Sequence, residues 1–411
     1  MTQVPGPQEG VTVALLGTCD TKGRECSFVR DCLVDHGVRT LLLDVGVFEP
    51  DGVEPDITRW EVARAAGADV GSLATGADRG AAVATMADGA QVLLTDLYQR
   101  GNIQAVLGLG GSGGTAIATA AKRSLPIGVP KLVVSTVASG DTRPYVGSAD
   151  VTMMPSVVDI SGLNAVSSRI LSNAAAAIAG MAKVGAPVSV GKPLIGATMF
   201  GVTTPCVTRA RQFLERRGYD VLVFHATGVG GQSLEEFVGR GLLAGVLDVT
   251  TTELADELVG GIMPAGPGRL EAAGGAGVPQ VVSLGALDMV NFGPRHTVPP
   301  VFAGRRLYVH NPTITLMRTS PAECHELGRR IGAKLASAKG PKTLFVPLRG
   351  VSAIAVAGQP FYDPEADAAL LSGLRETIDD VAVRELDMDI NDARFAEAMA
   401  RRLVELIDGP K

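Results

Sequence analysis

The chain reads as an α/β protein made of two doubly wound, parallel-sheet (Rossmann-like) domains, residues 1–185 and 186–411. Short apolar runs rich in Val, Leu and Ile alternate with helical patterns from the first strand onward, the mark of βαβ units. Apolar residues make up 46% of the 411 positions but aromatics only 4%, so the cores are filled by Ala, Val, Leu and Ile, as in parallel sheets covered by Ala-rich helices. The same succession of strand, Gly, Thr-containing turn and helix restarts near the middle of the chain. Either the unit is duplicated or any two βαβ units look alike.

The elements follow in order. VTVALLG is a strand, a helix runs from about Arg24 to His36, and RTLLLDVG is the next strand; QAVLGLG and KLVVST are further strands of the first sheet. An Ala-rich helix around Leu163–Lys183 leads into VGAPVSVGKP, where Gly and Pro precede the fresh strand PLIGATMFG, and the domain break is placed near residue 186. The second half opens with a helix from about Pro205 to Arg217 and the strand YDVLVFHATG. Later strands are expected at GVLDVT, PQVVSLG, RRLYVHN and KTLFVPL, with helices near 321–338, 365–377 and 391–408.

Composition narrows the function. The formal net charge is −6 with acidic and basic residues interspersed, so no basic face advertises nucleic acid as a partner. The first ten residues have neither a basic nor an apolar leader region, and the low-charge stretch Val157–Met181 carries too many polar groups for a lipid-facing span; a cytoplasmic protein with no membrane partner is expected. Five cysteines form no CxxC pair and read as reduced thiols. No zinc-finger, metalloprotease or EF-hand spacing is present, so no metal ligand set is assigned.

The strongest chemical signal is GLGGSGGT, residues 108–115, between a strand and a helix. Successive N–H groups of Gly110, Gly111, Ser112, Gly113, Gly114 and Thr115 can converge on an anion at the positive end of a helix, where side chains would obstruct the approach. Three templates fit. As G-x-G-x-x-G the loop would take a dinucleotide, but no acidic residue follows between Gly108 and Gly140 to hold a ribose. As a Walker loop it offers Thr115 to Mg²⁺, but Gly114 stands where the lysine belongs, leaving Lys22, Lys131 or Arg143 as the compensating cation. As G-x-S-x-G it makes Ser112 a nucleophile, with Asp288 and His296 or His310 as partners.

Ligands of open parallel sheets lie beyond the carboxyl ends of the strands, so other strand-end loops are candidates. After the first strand, Asp20 and Thr21 suit ribose or metal and Lys22 a phosphate, although Asp20 or Thr21 would equally cap a helix. After KLVVST come Ser139, Gly140, Asp141, Thr142 and Arg143. In the second half, His225 and Thr227 precede Gly228, Gly230 and Gly231 at a helix start, a second anion cradle. Thr252, Glu253, Asp256, Asp288, His310, Asn311 and Arg318 complete a set of polar strand ends, with His225, Glu253, Asp256 and His310 as acid/base candidates and the rest as substrate contacts.

GTCDTKGRE, GLGGSGGT, STVASGDTRPYVG, TMFGVTTPCV, VFHATGVGG, DVTTTELADELVGG, GALDMVNFGP, VHNPTITLMRT and PFYDPEADAALL together resemble the ATP-binding domain family of the tomato mosaic virus resistance protein and its bacterial relatives, over nearly the whole chain. The resemblance implies two α/β subdomains, Mg-ATP in the first, and a homodimer. It places ATP contacts at Asp20–Lys22, Gly110–Thr115 and Ser139–Thr142. The antiviral role belongs to one plant and virus pairing and is not carried over.

The leading expectation is therefore an ATP-dependent metabolic enzyme, in which Mg-ATP in the first domain meets a small, carboxylate-bearing substrate held by polar loops of the second, for phosphoryl or adenylyl transfer. The alternatives are a nucleotide-regulated binding or scaffold protein without turnover, and a hydrolase using Ser112.

Overall fold

The computed structural model describes residues 10–184 and 191–409. The chain divides into two compact units, Met1–Val188 and Ser189–Lys411. The expected break near residue 186 lies in 185–190, outside the described residues.

The first unit runs β1 (Thr12–Gly17), α1 (Cys19–Asp35), β2 (Arg39–Asp44), α2 (Arg59–Ala65), α3 (Val70–Thr75), α4 (Arg79–Gln99), β3 (Ala105–Gly110), α5 (Ser112–Arg123), β4 (Lys131–Ser135), α6 (Arg143–Val146), β5 (Thr152–Pro155) and α7 (Ala165–Val184). Its five strands are parallel in the order β2-β1-β3-β4-β5. β1 is buried on both faces, so its alternating side chains feed two cores. Val13 and Leu15 pack with Val29 and Leu33 of α1 and Leu171 and Ile178 of α7. Ala14 and Leu16 pack with Val62 of α2, Met86 and Leu94 of α4 and Ile117 of α5.

Helix α1 begins at Cys19, five residues before the position the sequence pattern predicts. Thr18 contributes no side-chain cap; Asp44, at the end of β2, accepts the Cys19 N–H at 3.0 Å and the Gly46 N–H at 2.9 Å. The cap comes from 25 residues away, so no local signal announced it. Asp20, Thr21 and Lys22 thus lie in the first turn of a helix rather than in a loop, and Lys22 breaks the helical backbone there (φ −131°, ψ 18°).

The second unit runs β6 (Leu194–Met199), α8 (Thr204–Arg216), β7 (Asp220–His225), α9 (Val229–Gly239), β8 (Gly245–Thr250), α10 (Glu253–Val259), α11 (Ala272–Ala276), β9 (Gln280–Gly285), β10 (Met289–Phe292), β11 (Leu307–Asn311), β12 (Ile314–Arg318), α12 (Pro321–Ser337), β13 (Lys342–Pro347), α13 (Pro364–Thr377), β14 (Ala382–Leu386) and α14 (Ala393–Asp408). Six strands form a parallel sheet, β14-β13-β9-β8-β6-β7. Leu344 and Val346 of β13 face α12 and α13, and Phe345 between them faces α14. The expected strand RRLYVHN forms as β11 but joins a separate antiparallel sheet, β10-β12-β11, because its neighbour β12 returns after a short turn and pairs with it directly. Both parallel sheets start with the second strand outside the first, and each is an α/β Rossmann-like unit. Among the described residues no helix is long and apolar enough to cross a membrane.

Candidate functional site

In the first unit the strand order reverses between β1 and β3: the chain moves outward from β1 to β2, then crosses back to β3. The loops at their carboxyl ends therefore diverge and leave a crevice, the place where open α/β sheets bind ligands. A cavity of about 560 Å³ occupies it. That volume lies within the range of small-molecule sites, roughly 300–1,000 Å³. Its polar wall is Asp20, Thr21 and Lys22 of α1 and Gly111, Ser112, Gly113 and Gly114 at the start of α5. Its apolar wall comes from Val45, Val47 and Phe48 after β2, Leu73 of α3, and Val83 and Met86 of α4.

The glycine loop divides into two parts. Gly110 is structural: a Cβ there would stand 2.7 Å from the Gly114 and Thr115 backbone, so the strand-to-helix turn closes only without a side chain. At Gly113 a Cβ would meet nothing nearer than Val83 at 3.8 Å and Arg79 at 3.9 Å, and that side of the turn opens into the cavity. Amides at the first turn of the twelve-residue helix α5 thus line a space of ligand size.

Thr115 does not join them. It is wholly buried, its hydroxyl 2.6 Å from that of Ser135 and 3.3 Å from the Gly110 carbonyl oxygen, so it ties α5 to β4 instead of facing a metal. Of the cations considered as substitutes for the missing lysine, Lys22 lines the cavity; Lys131 is buried against Asp150 at 2.7 Å, and Arg143 pairs with Asp141 at 2.7 Å. The turn Ser139, Gly140, Asp141 and Thr142 is not part of the cavity wall. Asp141 is bound to its neighbour instead, and the Arg143 guanidinium lowers its carboxyl to about 2.

Asp20 has one carboxylate oxygen accepting the Phe48 N–H at 3.2 Å and the other buried without a partner among the described residues. Asp44 ends β2. It is wholly buried and turned onto the amides of Cys19 and Gly46, and burial raises its pKa.

The second unit uses its polar strand ends differently. The cradle at Gly228 and Gly231 is filled from within: Glu253 Oε1 accepts their N–H groups at 2.7 and 2.9 Å, and its Oε2 pairs with Arg269 at 2.7 Å. Arg269 in turn binds Asp248 and Glu235. A Cβ on Gly231 would fall 2.1 Å from Glu253, and one on Gly230 would fall 1.9 Å from the His225 carbonyl oxygen, so these glycines make room for protein rather than ligand. Glu253 and Asp256, expected as acid/base groups, are fully buried. Asp256 is held by the Asn291 backbone and side-chain N–H groups at 2.6 and 3.1 Å and by Met263 N–H at 3.0 Å, while burial pushes its pKa up to about 7.

Thr252 is also buried, its hydroxyl without a partner among the described residues. Asp288 accepts the Ser352 hydroxyl at 2.8 Å, has its pKa raised by burial to about 6, and has its other oxygen unpartnered among the described residues. Arg318 is buried against Asp367 at 2.8 Å. His225 ends β7, its ring 5.4 Å from that of Phe200, and the Thr227 hydroxyl donates to the His225 carbonyl oxygen at 3.3 Å. His310 and Asn311 are exposed on β11, where Asn311 accepts the Thr313 N–H at 2.9 Å. Ser112 belongs to the first unit, whereas Asp288, His296 and His310, its expected partners, belong to the second.

Sequence reasoning missed Arg79 and the apolar wall of the cavity. Both belong to the long β2–β3 excursion, where the sequence reading placed no element and the structure has α2, α3 and α4.

Two family models cover the chain: "Uncharacterised protein family (UPF0261) N-terminal domain" matches residues 11–187 and "Uncharacterised protein family (UPF0261) C-terminal domain" matches 192–407. A UPF0261 protein of Clostridium tetani is 52% identical over 399 residues, 96% of this chain and 99% of the relative. One from Rhizobium meliloti is 48% identical, covering 94% and 96%. The ToMV resistance protein Tm-1(GCR237) of Solanum lycopersicum is 46% identical over 80% of this chain, which spans 45% of that longer protein. A putative UDP-N-acetylglucosamine 2-epimerase from Listeria monocytogenes matches at 12% identity, covering 66% of this chain and 79% of that one, with a TM-score of 0.24, too low to bear on function. By sequence over nearly its whole length, the chain belongs to the UPF0261 family.

Proposed function

We propose that the first unit binds Mg-ATP, with the phosphates on the amides of Gly111–Gly114 and the base against the apolar wall. One observation carries this reading: the free first turn of α5 and a half-apolar cavity of about 560 Å³ share the crevice where the strand order reverses. A phosphate answers the helix end, and a heteroaromatic base answers Val45, Val47, Leu73 and Met86. No acidic residue follows the loop between Gly108 and Gly140 to hold the ribose that a dinucleotide would bring there.

The residues present fit a magnesium ion in one way. Among the described residues no group of three or more His, Cys, Asp or Glu gathers into a metal site. Mg²⁺ bound to a nucleotide takes most of its oxygens from phosphates and water and needs one or two carboxylates. Asp20, a carboxylate residue of the cavity wall with one oxygen unpartnered among the described residues, is the residue that would hold it. The ion would neutralise phosphate charge and orient the chain for attack.

The use proposed for such a site is phosphoryl or adenylyl transfer to a small, carboxylate-bearing substrate, a reaction governed by positioning and charge neutralisation. Self-association as a homodimer belongs to the same proposal. Calorimetric titration with ATP, ADP and NAD⁺, each with and without Mg²⁺, tests the binding. Mg-dependent ATP binding and no NAD⁺ binding are expected, and failure of every nucleotide to bind would overturn the proposal. ATP consumption across a substrate panel then separates an enzyme from a nucleotide-regulated binding protein.

A further inference from the structure

We infer that Arg79 is the specificity-determining residue of this site, reading the distal phosphates of a nucleoside polyphosphate in place of the lysine that the glycine loop lacks. The inference rests on the nucleotide-binding reading above.

Arg79 is the first residue of α4 and lies 34 positions before Gly113 in sequence, yet its Nη2 is 3.9 Å from the point where a Gly113 Cβ would stand. A permanent cation is therefore parked beside the positive end of α5. Two positive poles at that separation repel, and the arrangement becomes favourable when an anion lies between them. Among the described residues no carboxylate pairs with the guanidinium to do so. Arg79 forms no ion pair among the described residues, and Asp78 beside it turns away to accept the Ala81 N–H at 2.9 Å. The guanidinium has five donors in a rigid fork, suited to bridging phosphate oxygens.

Its position in the fold makes it a reader of the distal charge rather than a generic anchor. The α5 amides meet the phosphate seated in the turn. Arg79 comes from a separate element, α4, and lines the cavity together with Leu73, Ala74, Gly76 and Ala77. That wall is lightly held: in the six-residue helix α3 only Val70 is buried, and Gly67 (φ +74°) and Gly76 flank it. A short segment between two glycines adjusts at small cost, so the wall beside Arg79 can yield to a ligand while α4 holds Arg79 in place. Lys22 lines the same cavity from α1, giving the phosphates cations from two elements.

The test is calorimetric titration of wild type, Arg79→Ala, Arg79→Gln and Arg79→Lys with ATP, ADP and AMP in Mg²⁺. In wild type, affinity should fall from ATP to ADP to AMP. Arg79→Ala and Arg79→Gln should weaken ATP by at least about tenfold while changing AMP less than about twofold. Arg79→Lys should restore part of the loss, since it returns charge without the fork. Arg79 is exposed in a first helical turn, so all three variants should fold, as thermal melting would show. Equal losses for ATP and AMP, or no loss for either, would overturn the role of Arg79 while leaving nucleotide binding intact. No binding of any nucleotide to wild type would overturn both.

Discussion

The carboxylate of Glu253 and the guanidinium of Arg269 form an ion pair at 2.7 Å, with both side chains wholly shielded from solvent. Because the same carboxylate caps the start of α9, the pair does the work of a ligand in the second unit, and an anion site read from the glycines is already closed. Removing Glu253 leaves a buried cation short of one partner and two amides without acceptors. Glu253→Ala is expected to lower stability by about 3 kcal/mol, read as a shifted urea midpoint, with Glu253→Gln less damaging. An unchanged midpoint would contradict the structural role.

The two halves of the glycine loop should respond differently. Gly113→Val places its side chain in the cavity, and nucleotide affinity should fall by at least about tenfold with folding retained. Gly110→Ala drives a methyl into the Gly114 backbone and should cost about 2 kcal/mol or more of stability. Paired titration and melting curves separate the two effects. A nucleotide that still binds Gly113→Val at full affinity would have to sit elsewhere.

Thr115 offers a sharp contrast with Asp20. Thr115→Val removes the hydroxyl facing Ser135 and should cost about 1 kcal/mol of stability without altering the Mg²⁺ dependence of ATP binding. Asp20→Asn should abolish that dependence. Loss of Mg²⁺ dependence in Thr115→Val instead would return the hydroxyl to the metal.

Asp256 makes stability depend on pH. Its folded pKa, about 7, lies above the unfolded value of 3.8, so between those limits the folded state binds the extra proton. The protonated form is favoured by folding at the acid end, and this contribution is lost as pH rises through about 7. Asp288, raised to about 6, acts in the same sense over a narrower window. The stability of wild type relative to Asp256→Asn should therefore decline from about pH 4 to pH 7, by an amount on the order of a few kcal/mol, measured by urea unfolding at each pH. A flat difference would show that the hydrogen bonds from Asn291 and Met263 hold the carboxylate ionised throughout.

Legibility in the sequence followed the range of the forces involved. Helices α12, α13 and α14 lie within two residues of their expected limits, because an amphipathic pattern and a local cap, such as Ser320 with Glu323, sit in adjacent residues. The strand-to-helix turn at Gly108–Thr115 was legible for the same reason. The start of α1 was not, since its cap is Asp44 on another strand. Nor was the antiparallel pairing of β11, since period-2 patterning is identical whether a strand joins one sheet or another.

The two glycine-rich helix starts show the limit most clearly. Composition and order alone required an α/β chain with amide-lined turns after Leu109 and Thr227, because glycine spacing and apolar alternation act between near neighbours. Which turn stays open depended on long-range contacts. Glu253, 22 residues from Gly231, swings into one cradle, whereas Arg79, carried by the β2–β3 crossover, leaves the other with charge and room for a ligand. Such contacts depend on which side chains the packed sheet brings together, and a buried carboxylate and a buried guanidinium are stable only where each meets the other.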